Sequence, residues 1–215
     1  MIISIEGTDG SGKATQSKLL YETLTKKGFK CKLISFPNYA SASSALVKMY
    51  LGGEFGNAAN CLNAYQASAL FAVDRLATMK LINTQDFDFI ILDRYTPSNM
   101  IHQACKILDL NQRDECLDWI IDFEYNKLNL PKPDLVVFLD LPIEVSLKLA
   151  NSRKALKNGQ KTDIHEKDKT YMQNAYNCAK YVALKYNWQI INCCKNGNIL
   201  PEQEIGTKIL QLVNI

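Results

Sequence analysis

Residues 1–15 read MIISIEGTDGSGKAT, and this stretch decides the fold. The first six residues are mostly apolar, which is typical of a strand covered on both faces. The pattern G-x-x-x-x-G-K then runs from Gly7 to Lys13, where a helical pattern begins. Glycines in this position let successive backbone N–H groups point at an anion beside the helix N-terminus. The stretch therefore predicts a phosphate-binding loop with Lys13 as its cation, the alternative being a glycine-rich turn without a ligand.

The residue after the loop lysine departs from the usual pattern. A Ser or Thr normally stands there and binds Mg²⁺ through its hydroxyl, but this chain has Ala14. Thr15 is one residue further and would lie about 100° round the helix. Either Thr15 reaches the metal region through water, or carboxylates carry more of the Mg²⁺ binding. Asp9 in the loop and Asp93 at the end of a later strand are the candidates.

Strand and helix patterns alternate along the rest of the chain. Runs rich in Ile, Val, Leu and Phe predict strands at 1–6, 31–36, 87–93, 134–140 and 188–193. Helical patterns cover 13–27, 58–85, 111–128, 142–152, 165–187 and 202–213. This alternation predicts an α/β fold, a five-stranded parallel sheet flanked by helices on both faces. Helical spacing in 165–187 predicts four core positions, Tyr171, Ala175, Cys178 and Val182.

Two stretches interrupt this alternation. Residues 37–57 are small, polar and glycine-rich around one short apolar helix, and residues 153–170 are densely charged. A charged run is usually a solvated surface, and the alternative is a lid that becomes ordered over an anionic ligand. We interpret 1–215 as one domain, with 153–170 as a candidate lid.

The composition limits the classes of function. A formal charge of +3, from 25 basic and 22 acidic residues, is too small to indicate a nucleic-acid binder. No apolar run approaches the roughly 20 residues of a membrane span. Seven cysteines, an odd number without a C-x-x-C pair, predict reduced thiols in a cytoplasmic protein. The first strand runs directly into the loop, so we expect no signal peptide.

A second candidate for phosphate binding follows the third strand. Asp93 and Arg94 stand at its carboxyl end, where open α/β sheets bind their ligands. An arginine beside a buried strand needs a counter-charge, and a phosphate supplies one with two acceptor oxygens. The alternative is a structural Asp–Arg pair. Arginine is scarce in this chain, which has only Arg75, Arg94, Arg113 and Arg153.

Four motifs together carry a family resemblance, namely GTDGSGK at 7–13, FPNY at 36–39, LFAVDR at 70–75 and DRYTPSN at 93–99. In this order and spacing, over essentially the whole chain, they resemble the thymidylate kinases, which are P-loop nucleoside-monophosphate kinases. The resemblance implies a P-loop NTPase fold, a homodimer, and Mg²⁺-dependent phosphorylation of thymidine 5′-monophosphate by ATP to the diphosphate for dTTP synthesis. It also implies an ATP-binding set of Gly7, Thr8, Gly10, Ser11, Gly12, Lys13, Ala14 and Thr15.

The resemblance further assigns the residues of phosphoryl transfer. Lys13 would hold the donor phosphates, and Asp9 would lie between donor and acceptor near the metal and the sugar 3′-hydroxyl. Arg94 would grip the acceptor phosphate, with Asp93 near Mg²⁺. In the branch of the family without an arginine in the loop, the transition-state cation comes from the lid, where Arg153 is the one arginine.

The remaining assignments concern the acceptor, whose binding segment would include 37–57. Phe71 resembles the aromatic that stacks on thymine, and Arg75, four residues later on the same helical face, resembles the arginine that reaches O4. The alternatives are a core phenylalanine and a surface ion pair of Arg75 with Asp74 or a neighbour. His102 stands where the family usually has a larger aromatic that crowds the ribose 2′ position. The full acceptor set is Asp9, Phe36, Tyr39, Phe71, Arg75, Arg94, Asn99 and His102.

Two rival functions remain at this point. A deoxynucleoside kinase transfers to a neutral hydroxyl and needs a carboxylate base beside the sugar, whereas Arg94 suits a phosphate. A P-loop ATPase switch without a nucleotide acceptor would show ATP turnover independent of any monophosphate. A GTP switch is disfavoured because 126–129 reads Asn-Lys-Leu-Asn and lacks the aspartate that reads guanine.

Overall fold

Five parallel strands form the central sheet of the protein. The computed structural model describes residues 1–56, 58, 60–156 and 168–215, with the backbone alone for 150–156. The strands are β1 (Ile2–Glu6), β2 (Cys31–Ser35), β3 (Phe89–Asp93), β4 (Leu135–Asp140) and β5 (Gln189–Asn192), in the order β2-β3-β1-β4-β5. The predicted five-stranded parallel sheet is therefore confirmed. A small antiparallel hairpin of β6 (Cys194–Lys195) and β7 (Asn198–Ile199) follows β5.

The described residues form eight α-helices. They are α1 (Lys13–Lys26), α2 (Ala45–Gly52), α3 (Ala64–Met79), α4 (Thr96–His102), α5 (Leu110–Ile121), α6 (Ile143–Leu156), α7 (Lys169–Lys185) and α8 (Glu202–Leu212). Three short 3₁₀ helices cover Ala42–Ser44, Thr84–Asp86 and Ala104–Lys106, and a π-helix covers Asp122–Lys127. Helices α1 and α8 pack on one face of the sheet, and α4, α5 and α7 on the other. Both faces are covered, which explains why the central strands are apolar on both sides.

The core positions follow the helical spacing predicted for α7. Tyr171, Ala175, Cys178 and Val182 are all buried, as expected. The first helix also ends as its sequence indicates, because Gly28 has a left-handed φ of 93° just beyond it.

Three helical segments differ from the predictions. Helix α3 begins later than residue 58, because the Asn63 side chain accepts a bond from Gln66 N and the Gln66 side chain accepts one from Asn63 N. The predicted helix 111–128 is an α-helix that becomes a π-helix, in which Leu128 N bonds to Phe123 O at 2.9 Å. Helix α4 was not predicted, and Pro97 lies in its first turn, where a missing N–H costs nothing.

The strand order places a crevice at the carboxyl end of β1. Because β1 lies between β3 and β4, the strand order changes direction at β1. The connections that follow neighbouring strands therefore separate there, and the space between them is where open α/β sheets bind ligands. The candidate lid is bordered by α6 and α7, which extend into the predicted range 153–170, while 157–167 lies outside the described residues. None of the described helices is long and apolar enough to cross a membrane.

Candidate active site

The loop between β1 and α1 has the geometry of an anion site. Gly10 and Gly12 have left-handed φ values of 80° and 89°, which only glycine adopts without strain. Gly12 caps α1 without any side-chain bond, so the first N–H groups of the helix are not used by a cap. Thr8 Oγ1 and Ser11 Oγ are buried and have no hydrogen-bond partner among the described residues. The loop thus presents donors that suit phosphate oxygens.

Lys13 folds back over this loop. Its Nζ donates to Thr8 O at 2.8 Å, and the side chain is buried. Burial lowers the pKa of Lys13 to about 8, and the positive charge of Arg94 acts in the same direction, whereas Asp9, Asp93 and Glu6 raise it. An anionic ligand at the loop would stabilise the protonated form of this amine.

Arg94 is held on three sides at the end of β3. Its Nη2 pairs with Asp9 Oδ1, and its Nη1 lies 3.4 Å from Ser98 Oγ and 3.0 Å from His102 Nε2. Burial opposes its charge, but the carboxylates of Asp9, Glu6 and Asp93 raise the pKa of Arg94 above the usual value. The backbone of Arg94 is left-handed, with φ 68°, and its N–H donates to Ile5 O. Contacts with three side chains therefore fix the guanidinium in one orientation.

Glu6 supports this arrangement from inside the sheet and was not singled out by the sequence. Its fully buried carboxylate accepts bonds from Tyr95 N at 2.8 Å, Ser98 Oγ at 2.6 Å and Ser4 Oγ at 2.8 Å. Burial raises the pKa of Glu6, although these hydrogen bonds oppose the rise. The residue after Arg94 is thereby anchored to the strand that leads into the phosphate loop.

His102 connects Arg94 to the helix that follows the candidate lid. Arg94 can only donate, so His102 Nε2 accepts, and the ring proton lies on Nδ1. That nitrogen is 3.2 Å from the Tyr171 hydroxyl, which itself donates to His102 O at 3.0 Å. The two rings are stacked, with centroids 6.4 Å apart. A continuous hydrogen-bond path thus runs from Arg94 to α7.

A cavity that is open to solvent lies beside Arg94. All the predicted acceptor residues line it, namely Asp9, Phe36, Tyr39, Phe71, Arg75, Arg94, Asn99 and His102. The structure therefore brings together four motifs that are far apart in sequence. Pro37, Leu51, Asp74, Ser98 and Gln103 complete the wall.

The inner end of the cavity carries a polar network. Arg75 is only 2% exposed, and its Nε and Nη2 each bond to Glu124 at 2.7 Å. The alternative of a surface ion pair with Asp74 is therefore wrong, because Asp74 instead accepts from Asn38 N and Ser43 Oγ. Phe71 is half-buried and packs edge-on against Tyr50, so its ring is part of the cavity wall as well as of a small cluster.

Several residues at the site were missed by the sequence analysis, among them Ser98, which contacts Arg94. Gln103 lines the cavity, and its buried Oε1 has no partner within the described part of the chain. Glu6, Glu124 and Tyr171 act through other side chains. For two of them the sequence indicates burial. Glu6 ends an apolar strand, and Glu124 lies four residues after Ile120, which is buried on α5. A carboxylate that is buried in this way requires hydrogen-bond donors from neighbouring residues.

The two candidate metal ligands, Asp9 and Asp93, both lie close enough to the loop lysine to raise its pKa. Asp93 is half-buried and has a long 3.5 Å contact with Ser35 Oγ, whereas Asp9 is paired with Arg94. Ala14 is exposed and Thr15 half-buried. Within the described ranges, no three His, Cys, Asp or Glu side chains cluster as an all-protein metal site. This donor set fits a magnesium ion held mainly by phosphates and water.

The phosphate-binding loop lies next to a cavity that is lined by Arg94, and both are at the carboxyl edge of the parallel sheet. This arrangement defines a P-loop kinase. The thymidylate kinase family model matches residues 5–203. A thymidylate kinase of Mycobacterium tuberculosis is 31% identical over 80% of this chain and 81% of its own length. A probable thymidylate kinase of Saccharolobus solfataricus is 32% identical over 98% and 96%.

A solved thymidylate kinase structure from Candida albicans has the same fold. It superposes with a TM-score of 0.72, covers 99% of this chain and 90% of its own, and is 24% identical. The chain belongs to the thymidylate kinase family, and it is an enzyme of the phosphotransferase class. The predictions of a P-loop NTPase fold and of this family are thereby confirmed.

Proposed function

We propose that this enzyme transfers the γ-phosphoryl group of ATP to thymidine 5′-monophosphate, forming thymidine 5′-diphosphate. One observation carries the proposal: Asp9 belongs to the phosphate loop and also pairs with Arg94 in the wall of the acceptor cavity. A donor phosphate on the loop and an acceptor phosphate on Arg94 are thus neighbours. The acceptor oxygen is already anionic, so the reaction needs positioning and positive charge rather than a general base.

Each end of the acceptor has a proposed set of contacts. Arg94 binds the phosphate through a guanidinium that Asp9, Ser98 and His102 already orient, so little ordering is required on binding. Phe71 supplies a face for the base, and Arg75 and Asn99 supply polar atoms at its edge. Tyr39, which is exposed, closes the outer side near the acceptor phosphate.

Magnesium is the proposed cofactor, with Asp93 and Asp9 as the carboxylates on its side of the loop. When bound with ATP, it neutralises charge on the donor phosphates. These two residues suffice because Mg²⁺ keeps several waters and usually takes few protein ligands. Because position 14 has no hydroxyl, the enzyme relies on the carboxylates of Asp93 and Asp9 for its contact with Mg²⁺.

Segment 153–170 remains the proposed lid, and Arg153 its transition-state cation. The Arg153 side chain and residues 157–167 lie outside the described residues. The proposal is supported by Ser146, whose Oγ on α6 donates to Asp9 O of the phosphate loop at 2.8 Å. Arg153 comes seven residues after Ser146 in the sequence.

The proposed reaction is tested with a panel of nucleoside monophosphates, supplied with ATP and Mg²⁺ and scored for diphosphate product. We expect thymidine 5′-monophosphate to be the preferred acceptor and thymidine itself to be inert. Phosphorylation of thymidine alone would indicate a nucleoside kinase. ATP hydrolysis that no monophosphate stimulates would indicate an ATPase.

Replacing Phe71 with alanine is expected to weaken acceptor binding more than turnover. A base loses a stacking surface worth about 1–3 kcal/mol, so KM for thymidine 5′-monophosphate should rise about tenfold or more. Steady-state kinetics with the acceptor varied at saturating ATP measures this. Phe71→Leu is the control, because it keeps apolar contact with Tyr50. A destabilised Phe71→Ala protein with normal KM would assign Phe71 to the core instead.

The depressed pKa of Lys13 predicts proton uptake on nucleotide binding. With a pKa of about 8 in the free enzyme, the amine is largely neutral at pH 9, whereas bound phosphates favour its protonated form. ATP binding at pH 9 should therefore take up protons, to a limit of one per site, and affinity should fall as pH rises through 8. Calorimetry in two buffers of different ionisation enthalpy measures the uptake. Lys13→Arg stays protonated and should show none, so equal uptake in both proteins would contradict the prediction.

A homodimer is the proposed assembly, formed through an apolar stripe on α3. Tyr65 is 38% exposed and Val73 47%, and the Trp119 ring of α5 lies 4.9 Å from Tyr65. A two-fold interface would bury these exposed apolar side chains on both copies.

We expect Val73→Glu to sediment as a monomer. The wild type and Leu81→Glu, whose residue lies beyond the end of α3 and is 88% exposed, should sediment as dimers. A wild-type monomer at micromolar concentration would contradict the proposal.

The cytoplasm is the proposed compartment, and ATP and thymidine 5′-monophosphate are the proposed partners, without nucleic acid or membrane. All seven cysteines are free thiols. A reducing compartment keeps such thiols in this form.

A further inference from the structure

Glu124 is the most heavily hydrogen-bonded carboxylate at the inner end of the acceptor cavity. It lies in the π-helical stretch Asp122–Lys127 and is fully buried. Its Oε2 accepts from Arg75 Nε at 2.7 Å and Thr96 Oγ1 at 2.9 Å. Its Oε1 accepts from Arg75 Nη2 and Asn99 Nδ2, both at 2.7 Å. Four donors on three side chains thus converge on one carboxylate, which does not itself line the cavity.

These contacts fix the orientation of the Asn99 amide. Its Nδ2 has two hydrogens, and they are used by Glu124 Oε1 and by Ser68 O, which is 3.1 Å away. A carboxylate and a backbone carbonyl only accept, so the amide cannot be turned round without facing acceptors with its oxygen. Asn99 Oδ1 is therefore the atom that this residue can offer to a ligand, and it offers an acceptor.

The same carboxylate fixes Arg75. Two of the three guanidinium nitrogens are bound to Glu124, and the side chain is 2% exposed, so it cannot swing away from this position. Arg75 lines the cavity, and Nη1 is the nitrogen that Glu124 does not occupy; like every guanidinium nitrogen it can only donate. The cavity consequently offers one acceptor and one donor from two side chains that share Glu124.

We propose that Glu124 is the positioning residue that sets the base specificity of this enzyme. Acceptor and donor together complement an imide edge, which has an N–H beside a carbonyl oxygen, as in thymine or uracil. Cytosine presents a lone pair and an amino group at the same edge. Its lone pair would face the Asn99 acceptor and its amino group would face the Arg75 donor, so neither hydrogen bond would form. Buried polar groups left unpaired make such discrimination strong. The inference rests on the proposed pyrimidine acceptor.

The test compares thymidine and deoxycytidine 5′-monophosphates as acceptors for wild type and Glu124→Gln. The glutamine amide has one acceptor oxygen where the carboxylate has two, so it cannot accept from all four donors and no longer holds Arg75 and Asn99 in the same orientation. We expect the ratio of kcat/KM for the two acceptors to fall by about tenfold or more. A purely structural role would lower both values together and leave the ratio unchanged.

Glu6→Gln is the matched control, because Glu6 is an equally buried carboxylate at the phosphate end. It should lower both values alike and keep the ratio. Where Glu124→Gln does not fold, Glu124→Asp provides the measurement. It keeps the charge opposite Arg75 but is one methylene too short to engage Arg75 and Asn99 together, so the ratio should also fall.

Two adverse results have different meanings. A folded Glu124 variant that accepts thymidine 5′-monophosphate with the wild-type ratio overturns the specificity role alone. A wild-type enzyme that phosphorylates neither acceptor overturns the proposed function, and the specificity inference with it.

Discussion

Replacing Arg94 with alanine is expected to lower kcat/KM for thymidine 5′-monophosphate by about 10³-fold, the scale seen when one preoriented charge-stabilising donor is lost. Arg94 is the cation of the acceptor cavity that Asp9, Ser98 and His102 hold in place. Its removal also leaves the Asp9 carboxylate facing an incoming phosphate without compensation. Steady-state kinetics with varied acceptor at saturating ATP measures the loss.

The control separates charge from geometry. An Arg94→Lys variant keeps the charge, but its ammonium cannot bond to Asp9 and His102 in the same fork, so an intermediate loss is expected. Both variants share the left-handed backbone of Arg94, so its strain does not distinguish them. An alanine variant that retains wild-type kcat/KM would show that Arg94 is only a structural partner of Asp9.

Replacing Lys13 with methionine should lower kcat by about 10²–10³-fold, because it removes a buried positive charge from the phosphate loop while nearly keeping the side-chain volume. The loop backbone is expected to stay intact, since its turns depend on Gly10 and Gly12. Single-turnover measurements with ATP bound separate this effect from weaker ATP binding. Because kcat concerns the bound state, a change in affinity alone would leave it unaltered.

Lys18→Met is the matched control for this change. Lys18 lies on the same helix, is 71% exposed and pairs only with Glu22 at 3.8 Å among the residues that the structure describes. Exposed pairs of this kind contribute little, so its kcat should stay at the wild-type value. Equal losses in the two variants would trace the effect to the helix and not to the loop.

The sheet was predictable because its signals are local. Each strand is a short apolar run, and Ile3, Ile5, Ile91 and Leu92 are buried as such runs require. The loop could be located for the same reason, since glycine spacing and Lys13 are adjacent in sequence. Even the start of α3 was readable, because Asn63 and Gln66 form a capping box that the periodicity analysis did not use.

The interior of the acceptor site was only partly predictable. The residues of the cavity wall were predicted from the sequence motifs. The hydrogen-bond network behind the wall depends on residues far apart in sequence, such as Arg75 and Glu124, which are 49 residues apart. The sequence shows that Glu124 is an acid on an apolar helical face, yet not which cation it meets. Helix α4 escaped detection because its seven residues are too few for periodicity.

The bond from Lys13 to Thr8 O has a consequence for the energetics of ATP capture. The fold itself buries this ammonium, so the cost of removing its hydration shell belongs to folding. An arriving nucleotide exchanges one oxygen partner for another instead of dehydrating a surface amine. Part of the folding free energy is thereby used to preorganise the donor site for ATP.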